Sequence, residues 1–327
     1  MRKSQSLSRP LFDRLALIGT GLIGSSIARG ARAQRLAGEI VASARTAATR
    51  RRVLELGIAD RVAETNAAAV AGADLVIVCI PVGQSGAVAR EIAPHLAPGA
   101  IVSDVGSVKA QVLRDMAPHL PAHVHFVPAH PVAGTEHSGP DAGFAALFVD
   151  RWCILTPPEN ADAAAVERLA AFWRGLGARV ATMSAEHHDL VLAITSHVPH
   201  LIAYTIVGTA DDLSAVTRSE VLQYSAGGFR DFTRIAASDP TMWRDVFLAN
   251  KAGVLEMLGR FNEDLAKLTR AIEEADGETL FGLFTRTRAI RRGIIEIGQD
   301  SPAPDFDRPH PSLPPVPIPR PYASEDE

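Results

Sequence analysis

Apolar residues in the first half of the chain fall in short runs: Leu15–Ile18, Ile40–Ala42, Leu75–Ile80, Ile101–Val102 and Phe126–Val127. Helix-forming stretches separate them, several closed by Gly57, Gly72 or Pro94. A strand can be followed by a parallel neighbour only through a crossover long enough to hold a helix, so this alternation predicts a mostly parallel α/β sheet. Arg151–Thr156 and Arg179–Met183 read as two further strands around a helix near Ala161–Gly175.

The pattern changes at Ser184, after which no strand is predicted up to Ile297. Ser184 caps a long helix through Leu190, Ile194 and Leu201. Pro199 is expected to bend it, since proline removes a backbone donor and crowds the preceding turn. Ser238-Asp239-Pro240 is a helix start, with cap residues followed by proline in the first turn. Val246, Val254, Leu258, Phe261 and Leu265 then give one long packed helix, and another runs from about Glu278 to Ile297. The expected organisation is a flexible 1–13, an α/β domain over 14–183, an all-α domain over 184–297, and a disordered tail over 298–327. Nine of the 22 prolines lie in that tail, which has too little apolar patterning to fold.

Charge and composition narrow the class. The 327 residues are 47% hydrophobic, enough for a sizeable core, and the net charge of −4 gives no reason to expect a nucleic-acid partner. Arg50-Arg51-Arg52 and Arg291-Arg292 lie in helical stretches and read as solvated faces. Cys79 and Cys153 lie in apolar runs and read as reduced, buried thiols of a cytoplasmic protein. No apolar run approaches the ~18 residues of a membrane span. The polar start, Met1 to Pro10, lacks the apolar core of a signal peptide.

The strand Leu15–Ile18 runs into Gly19-Thr20-Gly21-Leu22-Ile23-Gly24 and then into a helix. Gly19 permits the tight turn, Gly21 lets backbone approach a pyrophosphate, and Gly24 lets helix and strand pack closely. Strand before, helix after: this context makes the motif a dinucleotide site, with phosphate at the helix N-terminus. Pro81, at the exit of Leu75–Ile80, belongs to the expected cofactor-contacting set. About 20 residues beyond the glycines an NAD site usually carries an acid for the ribose hydroxyl. Here Ala44 stands there, between Ser43 and Arg45-Thr46. Serine, arginine and threonine suit a 2′-phosphate, so NADP is expected to be accepted beside NAD.

Three clusters carry the remaining chemistry. Ser103-Asp104-Val105-Gly106-Ser107-Val108-Lys109 ends a strand, where ligands of open parallel sheets collect. Ser107 there could bond an imidazole or the nicotinamide, or cap the next helix. His130-Pro131-Val132-Ala133-Gly134-Thr135-Glu136 follows another strand, and a histidine in that loop suits proton transfer near neutral pH. In the helical half, Asp189, Ser196 and His200 share one helix face by their spacing, with His197 to the side. Arg230 and Arg234, four apart after Gly227-Gly228, could grip a carboxylate, and Trp243 follows. The spacing of His197, His200 and Asp189 matches no zinc signature, so no metal is expected.

Taken together, Gly19–Gly24, Asp104–Lys109, His130–Glu136, Ser196-His197-Val198-Pro199-His200 and Gly228-Phe229-Arg230-Asp231-Phe232-Thr233-Arg234 resemble the prephenate/arogenate dehydrogenase family. The resemblance spans residues 14 to 297. It implies a Rossmann domain followed by a helical domain that dimerises. It implies that His130 is catalytic, polarising the substrate ring hydroxyl, and that Ser107 holds it and approaches the nicotinamide. It implies Arg234 at the ring carboxylate, and His200, His197, Thr135 and Trp243 in the substrate pocket. The expected chemistry is oxidative decarboxylation of prephenate, arogenate or both. Departures are the missing acid at Ala44, no preceding chorismate mutase segment, and a tail too short for a regulatory domain.

Two rivals stand beside this reading. A β-hydroxyacid or 6-phosphogluconate-type dehydrogenase would use a helical lysine, but after Lys109 only Lys251 and Lys267 occur, neither in a matching motif. A nucleotide-binding sensor without chemistry would not need His130, Ser107 and Arg234 together.

Overall fold

The computed structural model describes residues 9–296, apart from 136, 213–223 and 225. The proline-rich tail expected to be disordered lies outside these residues. By packing, the chain divides into a unit up to Arg270 and a second from Ala271.

The first unit opens with β1 (Phe12–Ile18), α1 (Leu22–Ala33), β2 (Ala37–Ser43), α2 (Ala47–Glu55), β3 (Arg61–Ala63), α3 (Asn66–Val70) and β4 (Leu75–Val78). It continues with α4 (Ser85–Ile92), β5 (Ile101–Asp104), α5 (Lys109–Met116) and β6 (His125–Phe126). These six strands form one parallel sheet in the order β3-β2-β1-β4-β5-β6. The order reverses direction between β1 and β4, which opens a crevice at the strands' carboxyl ends. Both faces are covered, and β1 shows why its run reads as continuously apolar. Leu15 and Leu17 point into one core with Ile27, Phe172 and Trp173. Ala16 and Ile18 point into the other with Val76, Val102 and Val112. The three-residue edge strand β3 carries too little apolar signal to have been predicted.

A second, smaller sheet follows: β7 (Ala129–Pro131), β8 (Trp152–Leu155), α6 (Ala163–Gly175) and β9 (Arg179–Thr182). In it β7 pairs antiparallel with β8, and β8 parallel with β9. The sequence placed His130 in a loop beyond a strand. It sits instead within β7, opposite Ile154. Pro131 fits because β7 is an edge strand.

Beyond this, α7 (Ala185–Leu192) is capped by Ser184, whose side chain accepts from the His187 amide. The expected single helix is interrupted by a π-turn, Ala193–His197, before α8 (Val198–Asp211). The disruption falls directly ahead of Pro199, where proline cannot complete the helical bonding. Ala185–Asp211 has 27 residues and contains an 18-residue stretch apolar enough, by length and composition, to cross a membrane. That corrects the expectation of no such segment. The same helix carries Asp189 and His197, both buried and held in polar networks against neighbouring elements.

Pro240–Ala249 starts as expected, with Asp239 accepting from the Met242 amide at 2.8 Å. The predicted continuous helix breaks at Asn250, and a second helix runs over Lys251–Glu273. In the second unit, Gly277–Glu296 is helical and Asp276 caps it through the Thr279 amide and hydroxyl.

Candidate active site

The cofactor end is built by β1, its turn and α1. Gly19 takes φ +92°, a left-handed conformation open to glycine. A Cβ at Gly24 would lie 2.1 Å from the Gly19 carbonyl oxygen, so only glycine lets α1 approach the turn. The N-terminus of α1 starts at Gly21 with no side-chain cap and no acid in its first turn. Nothing would obstruct a Cβ at Gly21, so the space beside it is open. Thr20 is buried, and its hydroxyl oxygen has no partner among the described residues. An uncapped helix start beside an orphaned hydroxyl fits a phosphate group. A dinucleotide therefore fits these residues, with Leu22 and Ile23 in the first turn.

At the end of β2, Ser43 bonds Asn66 at 2.7 Å, while Thr46 caps α2 through the Thr49 amide. Arg45 is exposed. Arg50 reaches back to the carbonyls of Ala44 and Arg45 at 2.8 and 3.3 Å, steadying the loop that follows β2. Pro81 lies just beyond β4 and is exposed.

The chemical centre is a buried chain of polar groups. Asp189 accepts from the backbone amides of Lys109 at 2.7 Å and Ala110 at 3.0 Å, so α7 supplies the cap of α5. Ser107 does not cap that helix; the preceding position is Val108, with no side-chain bond. Asp189 also lies 2.8 Å from His188 Nδ1, and His188 Nε2 lies 2.8 Å from His130 Nδ1. The partners dictate the tautomers. A carboxylate only accepts, so His188 Nδ1 carries hydrogen and neutral His188 Nε2 is a lone pair. His130 Nδ1 must then donate, which leaves His130 Nε2 as an acceptor. Among the described residues, the group that holds His130 is thus His188, with no bond from Ser107.

A buried ion pair fixes the backbone next to it. Lys109 Nζ meets Asp104 at 2.5 Å with side-chain exposures of 0% and 3%. Lys109 also donates to the Ala129 carbonyl at 2.7 Å, and Asp104 accepts from the Ala129 amide at 3.2 Å. The residue before His130 is held at both its polar groups.

Burial sets the charge states. It holds His130 well below the ordinary histidine range, and the charges of His188, Lys109 and His197 push the same way. Burial also lowers His188, with Asp189 opposing. Burial lowers Lys109, against the pull of Asp104.

The helical side gives a mixed outcome. His200 stacks on Trp243 with ring centroids 3.6 Å apart and bonds the Ser196 carbonyl at 2.9 Å. Burial lowers its proton affinity, and the charge of Arg234 adds to this, so Arg234 and His200 share one neighbourhood. Arg230 lies in the helix Gly227–Thr233 and Arg234 in the turn after it. Thr135 accepts from the His137 amide. His197, expected at the pocket's side, is completely buried. Its Nδ1 lies 3.1 Å from the Asn250 amide nitrogen, which also donates to the Asp189 carbonyl at 2.8 Å. Asp189, Ser196 and His200 do not form the expected single face, because the π-turn intervenes and Asp189 is committed to α5. Among the described residues no cluster could hold a metal ion.

His188, Asn250 and the Asp104–Lys109 pair were missed as site residues. A signal for the first existed. Ala185, His188, Asp189 and Leu192 are the buried residues of α7, at the spacing of a core stripe, and two of the four are polar. Polar residues on a core stripe are buried with partners.

Comparison with known proteins agrees with this architecture at every level. Residues 27–182 match the family described as prephenate dehydrogenase, nucleotide-binding domain, and 184–286 the prephenate dehydrogenase dimerization domain. Cyclohexadienyl dehydrogenase of Zymomonas mobilis is 43% identical over 87% of this chain and 97% of its own length. Prephenate dehydrogenase of Bacillus subtilis is 35% identical over 86% and 76%. Among solved structures, prephenate dehydrogenase from A. aeolicus in complex with hydroxyphenyl propionate and NAD+ superposes with a TM-score of 0.81 at 32% identity, covering 89% of this chain and all of that one. With both family domains matched in order and the sheet, turn and helices arranged as these relatives require, the chain belongs to the prephenate dehydrogenase family.

Proposed function

We propose that the chain oxidatively decarboxylates prephenate, arogenate or both, in the formation of tyrosine. The observation that carries this reading is the chain Asp189–His188–His130, which leaves His130 Nε2 as a buried, neutral acceptor. A bound NAD+ or NADP+ supplies the hydride acceptor. His130 takes the proton of the ring hydroxyl, and a positioned base is worth roughly 10²–10⁴ in rate. Ser107, after β5, faces the same end of the sheet and approaches the nicotinamide. Arg234 binds the ring carboxylate, with His200, Trp243 and Thr135 around the substrate and His197 supporting them from below.

Gly19, Thr20, Gly21, Leu22, Ile23 and Gly24 hold the pyrophosphate, and Ser43, Arg45, Thr46 and Pro81 the remainder of the dinucleotide. NADP is accepted, because Ala44 presents no acid and Arg45 is exposed beside it. The functional domains are 14–183 and 184–297. The latter pairs two chains, a reading supported by exposed Leu255 and Leu265 on Lys251–Glu273, at 54% and 48% exposure. The enzyme is placed in the cytoplasm, where small-molecule biosynthesis of this kind proceeds.

The test is initial rates with prephenate and with arogenate, each with NAD+ and NADP+. Turnover in any combination supports the reading, and the kcat/KM ratios rank substrate and cofactor. No turnover in all four, with nucleotide binding intact, overturns it. Comparable NAD+ turnover with no NADP+ turnover removes the NADP assignment alone.

A further inference from the structure

His188 is completely buried and lies between two groups with opposite charge preferences. Its Nε2 is 2.8 Å from His130 Nδ1 and its Nδ1 is 2.8 Å from the Asp189 carboxylate, with the two rings edge to face at 5.0 Å. Among the described residues, the titratable groups facing the pair come from five elements: Lys109 from α5, Asp104 from β5, Asp189 from α7, His197 from the π-turn and the Cys153 thiol from β8. A positive charge confined to His130 would sit near the Lys109 ammonium with no carboxylate bonded to its ring. A positive charge on His188 would adjoin Asp189 directly.

We propose that His188 is a second proton carrier: His130 accepts the substrate's hydroxyl proton at Nε2 and passes its Nδ1 proton to His188 Nε2, so that the charge rests against Asp189. The proposal depends on His130 being the base, as read above. The balance is complete. The substrate O–H bond breaks and His130 Nε2–H forms; His130 Nδ1–H breaks and His188 Nε2–H forms. His130 ends neutral in the opposite tautomer, and His188 ends as an imidazolium. Hydride leaves the hydroxyl-bearing carbon for the nicotinamide dinucleotide, and the oxygen becomes a ketone. When the carboxylate departs as carbon dioxide, the electron pair of the broken C–C bond enters the ring and reaches that oxygen. The oxygen then recovers a proton from His130 as the chain runs in reverse. No net proton leaves the site, so a fully buried carrier without a solvent path is suited to the task. Burial depresses both histidines and Lys109 adds to this at each, but only His188 has carboxylates, Asp189 and Asp104, opposing the effect.

Two measurements test this. In the full chain without nucleotide, ¹⁵N-histidine NMR with falling pH is expected to show the first imidazolium of the pair at His188. First protonation at His130 overturns the proposal. The variant His188→Gln can still accept from His130 Nδ1 and so keeps its tautomer, but it cannot take a proton. It is expected to lose about tenfold or more in kcat, with KM and nucleotide Kd near wild type and the acid limb of the pH profile displaced. Wild-type kcat with an unmoved profile overturns the proposal. If the variant fails to fold, a proton inventory of the wild type in mixed light and heavy water decides: a curved dependence supports two protons in motion, and a linear one refutes them. Activity surviving in His130→Asn would instead remove the parent reading. An inactive His130→Asn beside a wild-type-like His188→Gln removes the relay alone.

Discussion

Lowering the pH from 7 to 5 is expected to weaken the fold by about 2 kcal/mol through His197 alone. Burial pushes this ring down to about 4, against an ordinary value of 6.5. The physical cause is visible: Nδ1 is engaged by Asn250, while Nε2 is buried with no partner among the described residues, so a second positive hydrogen has nowhere to be solvated. The sign follows from a depressed folded value. Above pH 6.5 neither state binds the proton and nothing is lost. Below it the unfolded chain binds a proton that the folded chain refuses, so stability falls until pH reaches about 4. The full span of about 2.5 units corresponds to roughly 3 kcal/mol, of which about 2 is lost by pH 5. The assay is urea unfolding at pH 7 and pH 5 for wild type and His197→Asn. His130, His188 and His200 are also held down by burial, and the double comparison cancels their share. The variant's loss on acidification should be smaller by about 2 kcal/mol. Equal losses in the two proteins would refute the reasoning.

Lys109→Met should cost about 3–5 kcal/mol, because it strands the Asp104 carboxylate in the core and frees the Ala129 carbonyl; a loss under about 1 kcal/mol in urea unfolding would show that Asp104 finds another partner. Gly24→Ala sets a Cβ 2.1 Å from the Gly19 oxygen and should abolish measurable nucleotide binding by fluorescence titration; an unchanged Kd would mean that the turn can open. Arg234→Gln removes a charged bond worth about 1.5–3 kcal/mol and should raise the prephenate KM by at least about tenfold; an unchanged KM takes the arginine out of the carboxylate site. Arg45→Ala should raise the KM for NADP+ and leave that for NAD+ in place; parallel changes would place Arg45 elsewhere than at the 2′-phosphate.

Local patterns made much of this molecule legible. The run Leu15–Ile18 followed by three spaced glycines can do little except enter a tight turn and open a helix, because bulkier residues would collide at Gly24. Ser184 and Asp239 announced their helices since a cap is a contact between residues three apart. The interruptions were less legible. The π-turn at Ala193–His197 and the break at Asn250 lie inside stretches whose apolar period continues through them. Both depend on bonds to distant residues, as Asn250 shows by bonding Asp189 and His197.

By itself, the sequence determined the alternation of strand and helix through the first half, the change to helix alone at Ser184, the phosphate-binding turn, and part of the list of residues from which a site could be made. Each of these rests on steric or periodic rules that act within a few residues. Only the tertiary structure decided which groups meet. His130 proved to be in a strand rather than a loop because Ile154, 24 residues later, pairs with it. Its partner proved to be His188 rather than Ser107, and its tautomer was set by a carboxylate that also caps α5, 80 residues earlier in the chain. Between His187 and His188 the sequence offers no choice of chemistry. The helix's rotation against α5 makes it, burying one ring beside Asp189 and leaving the other in water.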